Sequence, residues 1–304
     1  MLNISKKKSI LADISLLLVA VVWGGGFIAV KDALDSLSPF YIMAMRFGIS
    51  VIIMLFVFRK KIKHVTKYEL QVGSVVGLLL FLGFAFQTVG MKYTTAGKNA
   101  FLTGSNVVIV PFLYWVISKK KPDAFSLIAA FMCFIGIGML TLDGGLHIGL
   151  GDGLTLSCSV FFAAHIVSVE FFIKKVDAIL LVIIQLGAAA VFSIIVALIY
   201  EPIPHSLNSD TIFSICYIAI FSTMIAFIIQ NVAQKYTTST HAAIILCLES
   251  VFGSIFSVTI LHEVFTSKMI LGCLTIFIAI ITTETKWNFL KTKKLATDRK
   301  TMNK

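Results

Sequence analysis

The sequence predicts an all-α integral membrane protein of ten transmembrane helices, arranged as two inverted five-helix repeats. Three observations carry that reading. Of the 304 residues, 58% are hydrophobic and only 13% are charged, whereas a soluble domain is roughly half apolar with about a quarter charged. A chain this apolar cannot cover itself with polar surface, so the bilayer is part of its solvent. The apolar residues also fall into runs of the ~20 residues that a membrane helix requires. Finally, the stretch Gln87–Asn106, QTVGMKYTTAGKNAFLTGSN, returns 143 residues later as Gln230–Glu249, QNVAQKYTTSTHAAIILCLE. Gln87, Val89, Lys92, Tyr93, Thr94, Thr95 and Ala100 recur without a gap as Gln230, Val232, Lys235, Tyr236, Thr237, Thr238 and Ala243. One hairpin, two helices joined by a Lys-Tyr-Thr-Thr turn, is present twice.

The apolar runs mark spans at 11–31, 38–58, 69–91, 96–117 and 124–142, then at 151–173, 178–199, 211–234, 239–261 and 267–285. The first five form one repeat, 11–142, and the second five another, 151–285. Connections are short, the longest running from Glu201 to Asp210, and residues 286–304 form a basic, polar tail expected to be cytoplasmic. Lys6, Lys7 and Lys8 precede the first run without a small-residue cleavage site, so that run reads as a retained span. Cys133, Cys158, Cys216, Cys247 and Cys273 all lie within apolar runs, with no CxxC pair and no His at zinc spacing. They read as small interior residues, and neither a disulfide, a metal nor a cofactor is expected.

The formal charge of +11 sits between spans rather than on a patch interleaved with aromatics, which argues against nucleic acid and for topology. One set of alternate connections holds Lys6–Lys8, Arg59 to Lys67, Lys119–Lys121, Lys174, Lys175, Lys235 and the tail; the other holds only Lys31, Lys92, Lys98 and Lys268, beside Asp143, Asp152, Glu201 and Asp210. The positive-inside rule puts both termini in the cytoplasm of a multi-pass cell-membrane protein. Five spans per half is an odd number, so the two halves run in opposite senses across the bilayer. Asp13 facing Asp152, Trp23 facing Phe162 and Arg46 facing Gln185, at an offset of 139, extend the match. Inverted repeats are the usual construction of secondary transporters.

Together these features identify a resemblance. Trp23-Gly24 in the first span, the two Lys-Tyr-Thr-Thr hairpins, Pro111, Gly151-Asp152, Leu248-Glu249 and His262-Glu263, in register over ten spans, resemble the EamA family of the drug/metabolite transporter superfamily. Two departures stand out: Ser250 follows the ninth-span Glu where many relatives have Pro, and Lys119–Lys121 close the fourth span where relatives have an acid. The resemblance implies a permease, often an exporter of amino acids or other small metabolites. Its partners would be a small-molecule substrate and the lipid bilayer, with proton coupling as an option.

Polar groups within spans locate the interior, because lipid exposure of a central charge costs about 2.5–3.5 kcal/mol. Asn99, Thr103 and Asn106 form one helical stripe, matched in the second half by Ala242, Leu246 and Glu249. Only one half thus supplies a carboxylate. Glu249 lies mid-span with no Lys or Arg within a turn, a candidate for proton coupling or for an ammonium group on the substrate, the plain alternative being an interhelical hydrogen bond. Gln87 and Gln230 are repeat partners, with Phe84 and Phe227 one turn before them. Ser157, Phe161, His165 and Ser168 make a further stripe, of which His165 is the candidate ligand, and Trp23 is a candidate wall. For each of these, interhelical packing or hydrogen bonding is the plain alternative. Three residues are set aside: Glu170 as a helical ion pair with Lys174, Arg46 as snorkelling outward or pairing with a carboxylate, and Lys98 as snorkelling. The expected cavity is built from the first, third, fourth, sixth, eighth and ninth spans.

Two other classes are considered. Gly149-Leu-Gly-Asp152 formally matches the GxGD motif of intramembrane aspartyl proteases, but the other predicted spans offer only Asp13 as a second aspartate, and a turn with an N-cap explains the motif. There is no HExxH or GxSxG, and no Walker motif for ATP. A channel or a non-transporting membrane protein is the remaining alternative. A transporter, not an enzyme, is expected.

Overall fold

A computed structural model describes residues 2–94, 96–141, 149–204, 207–260 and 267–285. Every regular element among them is helical. Thr95, Asp143, His262, Glu263, the Lys98 side chain and the tail from 286 onward lie outside the described residues.

In the first half the helices are α1 (Leu2–Ala33), α2 (Pro39–Val57), the short α3 (Arg59–Ile62), α4 (Lys67–Tyr93), α5 (Ala96–Gly104), α6 (Asn106–Ser118) and α7 (Ala124–Thr141). The second half has α8 (Leu150–Phe172), α9 (Ala178–Tyr200), α10 (Ser209–Tyr217), a π-helical segment (Ile218–Ile225), α11 (Ala226–Ala233), α12 (Ser239–Leu246), α13 (Glu249–Ile260) and α14 (Ser267–Thr285). Eight stretches among the described residues are long and apolar enough to cross a bilayer. The fifth and tenth apolar runs form shorter apolar helices, Ala124–Met139 and Ile270–Thr282, so the count of full-length spans differs from the ten expected. Around the perimeter, Phe56 is 78% exposed, Phe213 75% and Ile52 68%. A perimeter carrying so many bare, large apolar side chains suits lipid rather than water.

Two runs expected to be single helices are interrupted, and a third changes its helical geometry. The fourth breaks at Ser105, where N–H bonds tighten to i→i+3: Ser105 to the Leu102 carbonyl at 3.2 Å and Val108 to the Ser105 carbonyl at 3.1 Å. The ninth breaks at Cys247 and Leu248, where Leu248 donates to the Ile245 carbonyl at 3.1 Å and Ser250 to that of Cys247 at 3.2 Å. Ser105 and Leu248 are separated by 143 residues, the spacing of the sequence repeat. The eighth run is continuous but changes to π geometry midway, a form that recurs at functional sites.

Several helix ends are closed by groups from elsewhere. Glu201, just past α9, accepts from the backbone N–H groups of Phe40 and Tyr41 at 3.1 Å and so caps α2, whose own N-cap Ser38 makes no side-chain bond. Asp177 caps α9 through the N–H groups of Ile179 and Leu180 and pairs with Lys61 at 2.5 Å. Glu170, read from sequence as a surface partner of Lys174, is instead buried at 6% exposure, and its carboxylate takes the backbone N–H (2.6 Å) and hydroxyl of Ser239, at the first turn of α12. An i,i+4 cation is a weak partner in water. A helix N-terminus with orphan donors and a favourable dipole is a stronger one inside the protein. Asp152 likewise differs from the N-cap expected: Gly149 is the N-cap, and the Asp152 carboxylate accepts its N–H at 3.0 Å and the Thr94 hydroxyl at 2.7 Å.

Glycines set the closest crossings. A Cβ on Gly151 of α8 would come within 2.7 Å of the Tyr93 carbonyl carbon and 2.8 Å of the Gly90 oxygen, so α4 and α8 touch backbone to backbone. At Gly24, α1 meets α13 in the same way, with a Cβ falling 2.7 Å from the Gly253 nitrogen and 3.0 Å from the Glu249 carbonyl. Small residues permit such approach where lipid offers no hydrophobic drive between helices. The aromatic and aliphatic core of Phe47, Leu80, Phe81, Phe84, Val182, Leu186 and Phe227 packs α2, α4, α9 and α11 together. A second core, centred on Val107, Ile137, Ala163, Ile244 and Ile276, joins α7 and α14 to α6, α8 and α12.

Candidate functional site

The helices form a cavity offering about 70 Å³ to the centres of water molecules, room for about five of them. Its walls are Trp23, Gly26, Phe27 and Val30 of α1, Arg46 of α2, Phe84, Gln87 and Met91 of α4, and Thr103 and Asn106 at the α5–α6 break. The second half contributes Phe162, His165 and Ile166 of α8, Ser222 of the π segment, Phe227 and Gln230 of α11, and Glu249 at the start of α13. Among the described residues, neither α7 nor α14 contributes to the lining.

Of the residues singled out from sequence, Trp23, Phe84, Gln87, Thr103, Asn106, His165, Phe227, Gln230 and Glu249 converge here. Asn99 does not. It is fully buried between helices, where its amide donates to the Gln87 carbonyl at 3.0 Å and the Thr155 hydroxyl at 2.9 Å, tying α5 to α4 and α8. That is the interhelical bonding its stripe allowed. One turn on, Gln87 donates to the Thr103 hydroxyl at 3.1 Å, so the two walls are braced together at the cavity edge.

The stripe drawn through Ser157, Phe161, His165 and Ser168 is out of phase. Ser157 is half-buried outside the cavity lining, with its hydroxyl on the Gly153 carbonyl, and Phe161 stacks on Phe86 at 5.4 Å. The inward face of α8 runs instead through Thr155, Cys158, Phe162 and His165, because the crossing at Gly151 fixes its rotation. His165 is 1% exposed and holds the Gln185 amide oxygen at 2.8 Å, with its ring edge-on to Phe227 at 5.8 Å.

Trp23 donates its indole N–H to the Ser222 carbonyl at 2.8 Å, and Ser50 donates to the Ala219 carbonyl at 2.7 Å. Both acceptors lie in the π segment, whose widened turn frees carbonyls for side chains on α1 and α2. The Glu249 carboxyl, first in α13, has no hydrogen-bond or ion-pair partner among the described residues.

Sequence reasoning set Arg46 aside, and the structure overturns that. Arg46 is 2% exposed and does not snorkel: its Nε donates to the Thr223 hydroxyl at 2.9 Å, and its guanidinium carbon sits 4.1 Å from the Phe84 ring centre. No carboxylate pairs with it among the described residues. The missed signal is that an intramembrane cation is a functional candidate by default. Phe162 was noted only as the repeat partner of Trp23, and that pairing was the clue to its place in the wall.

Comparison with known proteins agrees with this architecture. Residues 10–142 and 149–285 match the EamA-like transporter family. An uncharacterized transporter of Archaeoglobus fulgidus is 34% identical over 274 residues, covering 90% of this chain and 86% of that protein. A second from the same organism is 28% identical, covering 82% and 88%. The uncharacterized transporter YoaV of Bacillus subtilis is 23% identical, covering 85% and 91%. A solved crystal structure superposes with a TM-score of 0.77 over 92% of this chain and 98% of that one; at 14% identity the likeness is one of fold. The chain belongs to the EamA-like transporter family of membrane transporters.

Proposed function

We propose that this chain is a secondary transporter that moves a small metabolite across the cytoplasmic membrane by alternating access, without ATP, as an exporter of amino acids or related small organic molecules. The observation that carries this reading is the cavity itself, formed where the two broken helices meet, with Thr103 and Asn106 at one break and Glu249 at the other. Discontinuous helices of this kind form substrate and ion sites in transporters built from inverted repeats.

Helix packing supports the repeat. Exchanging the first five runs for the second five turns the α4–α8 contact into α11–α1 and α4–α9 into π segment–α2, and leaves α2–α9 and α7–α14 unchanged. In this reading the repeats are 11–142 and 151–285, the two shorter apolar helices complete ten spans, and both termini face the cytoplasm. Two similar halves can then exchange inward-open and outward-open shapes at similar energy. The protease alternative loses its footing, because Asp152 is engaged with Gly149 and Thr94, and Asp13 lies 3.2 Å from His241 on α12.

Glu249 is the residue proposed to carry coupling or to hold a cationic group. Glu249→Gln preserves shape while removing charge and titration, so it separates a functional role from interhelical bonding. The expected outcome is a steep loss of flux in proteoliposomes, with a protein that still purifies as a monodisperse species and residual activity that no longer varies between about pH 5 and 8. Wild-type flux with an unchanged pH profile would remove Glu249 from the mechanism.

A further inference from the structure

Resting on the transporter reading, we infer that Arg46 is the anion-binding group of the cavity and that the ligand it takes is a monocarboxylate with a flat apolar body. The guanidinium has five N–H donors in a planar fork. One of them, on Nε, is taken by Thr223, and one face of the plane is covered by Phe84 at 4.1 Å, with Phe47 beyond at 5.5 Å. The two terminal nitrogens, with four N–H groups, have no acceptor among the described residues, although Arg46 is 2% exposed and lines the cavity.

A buried cation without a counter-charge is costly to keep, and removing one partner of a buried pair leaves that cost in place. Glu249 lines the same cavity yet forms no ion pair with Arg46. The fold therefore presents a pre-oriented fork, held at its back by Thr223 and Phe84, toward a space that a ligand can enter.

The donor set narrows the ligand. A planar fork with two parallel donors matches a carboxylate bidentately. A phosphate dianion would call for further cations or a cluster of backbone N–H groups, and Arg46 is the only Lys or Arg among the lining residues. Trp23, Phe84, Phe162 and Phe227 give the remaining surface its aromatic character, which suits a ring or branched aliphatic body. Thr223 acts as a positioning residue, because it holds Nε without touching the ligand.

The test uses detergent-purified full-length protein and measures thermal stabilisation and Kd for a panel of aliphatic and aromatic monocarboxylates, each alongside its methyl ester and primary amide. A ligand of the folded state must raise its apparent stability. The expected result is stabilisation by carboxylates and not by their esters or amides, with Kd about 10- to 100-fold weaker in Arg46→Lys, which keeps the charge but loses the fork. Thr223→Val should weaken binding by a smaller factor. The comparison of acid with ester in the wild-type protein needs no variant, so it stands even if Arg46→Lys fails to fold. Equal stabilisation by esters, no response to any carboxylate, or an Arg46→Lys protein that binds as wild type would each overturn the assignment. Carboxylate binding that depends on Arg46, in vesicles that show no flux, would leave this site intact and remove the transporter reading. Flux of amines or neutral solutes alone would do the reverse.

Discussion

The contact of α4 with α8 can be tested at Gly151, with a control two residues away on the same helix. A Cβ at Gly151 would lie 2.7 Å from the Tyr93 carbonyl carbon, 2.8 Å from the Gly90 oxygen and 2.9 Å from the Thr94 nitrogen. Ordinary contacts begin at about 3.5 Å, so the shortfall is about 0.6 to 0.8 Å against three atoms. All three are backbone, and no rotamer change can relieve them; the end of α4 must move, disturbing the Thr94–Asp152 bond. Overpacking of this kind costs about 1–3 kcal/mol, which corresponds to a fall in melting temperature of roughly 2 to 10 °C. At Gly153 a Cβ meets nothing within 4 Å, so Gly153→Ala should be neutral or raise stability by up to about 1 kcal/mol through helix propensity. Melting can be followed with a thiol-reactive dye, since Cys133, Cys158 and Cys247 are buried and react only on unfolding. Scans at one fixed rate make the variants comparable. A Gly151→Ala protein that melts with wild type, or a Gly153→Ala protein that falls as far, would refute the claim that backbone contact at Gly151 sets this crossing.

Glu170→Ala removes the acceptor for two buried Ser239 donors, each bond to a charged acceptor being worth about 1.5–3 kcal/mol; a loss on the order of 3 kcal/mol is expected, with Glu170→Gln recovering part of it in the same melt. Asp177 gives a pH dependence outside the spans. Burial pushes its carboxyl up, but the Lys61 ammonium and the N–H groups of Leu180 and Ile179 outweigh this and hold it below the ordinary Asp value. Its stabilisation is therefore fully present above about pH 4 and is lost as pH falls through the lowered folded value, so Asp177→Asn should flatten the acid limb of a stability–pH profile. Trp23→Phe keeps the ring beside Phe227, 5.6 Å away, and deletes the donor to the Ser222 carbonyl; a loss of about 1 kcal/mol in the melt is expected, and an unchanged melt would mean the π segment does not need this bond.

The sequence by itself determined the solvent, the helical class and much of what points inward. Lipid cannot satisfy an amide or a carboxyl, so Gln87, Thr103, Asn106, Gln230 and Glu249 had to turn away from it, and the duplicated hairpin related them to one another before any coordinates. The same constraint could not say which inward group meets a cavity and which meets a neighbour. Asn99 lies on the stripe of Thr103, yet it closes on Thr155, 56 residues away. Burial alone is equally satisfied by either fate. The phase of α8 was also out of reach, because it is set by the backbone contact of Gly151 with Gly90 rather than by the spacing of its own polar residues. Arg46 shows the limit most clearly. Its long side chain reaches either the interface or the interior from the same position, and the choice was made by the Phe84 ring and by Thr223, 177 residues further along the chain. The π segment was likewise visible only in the tertiary structure. An apolar run prescribes burial without prescribing which carbonyls its own backbone must bond, and those freed in the π segment are taken by Trp23 and Ser50 from other helices.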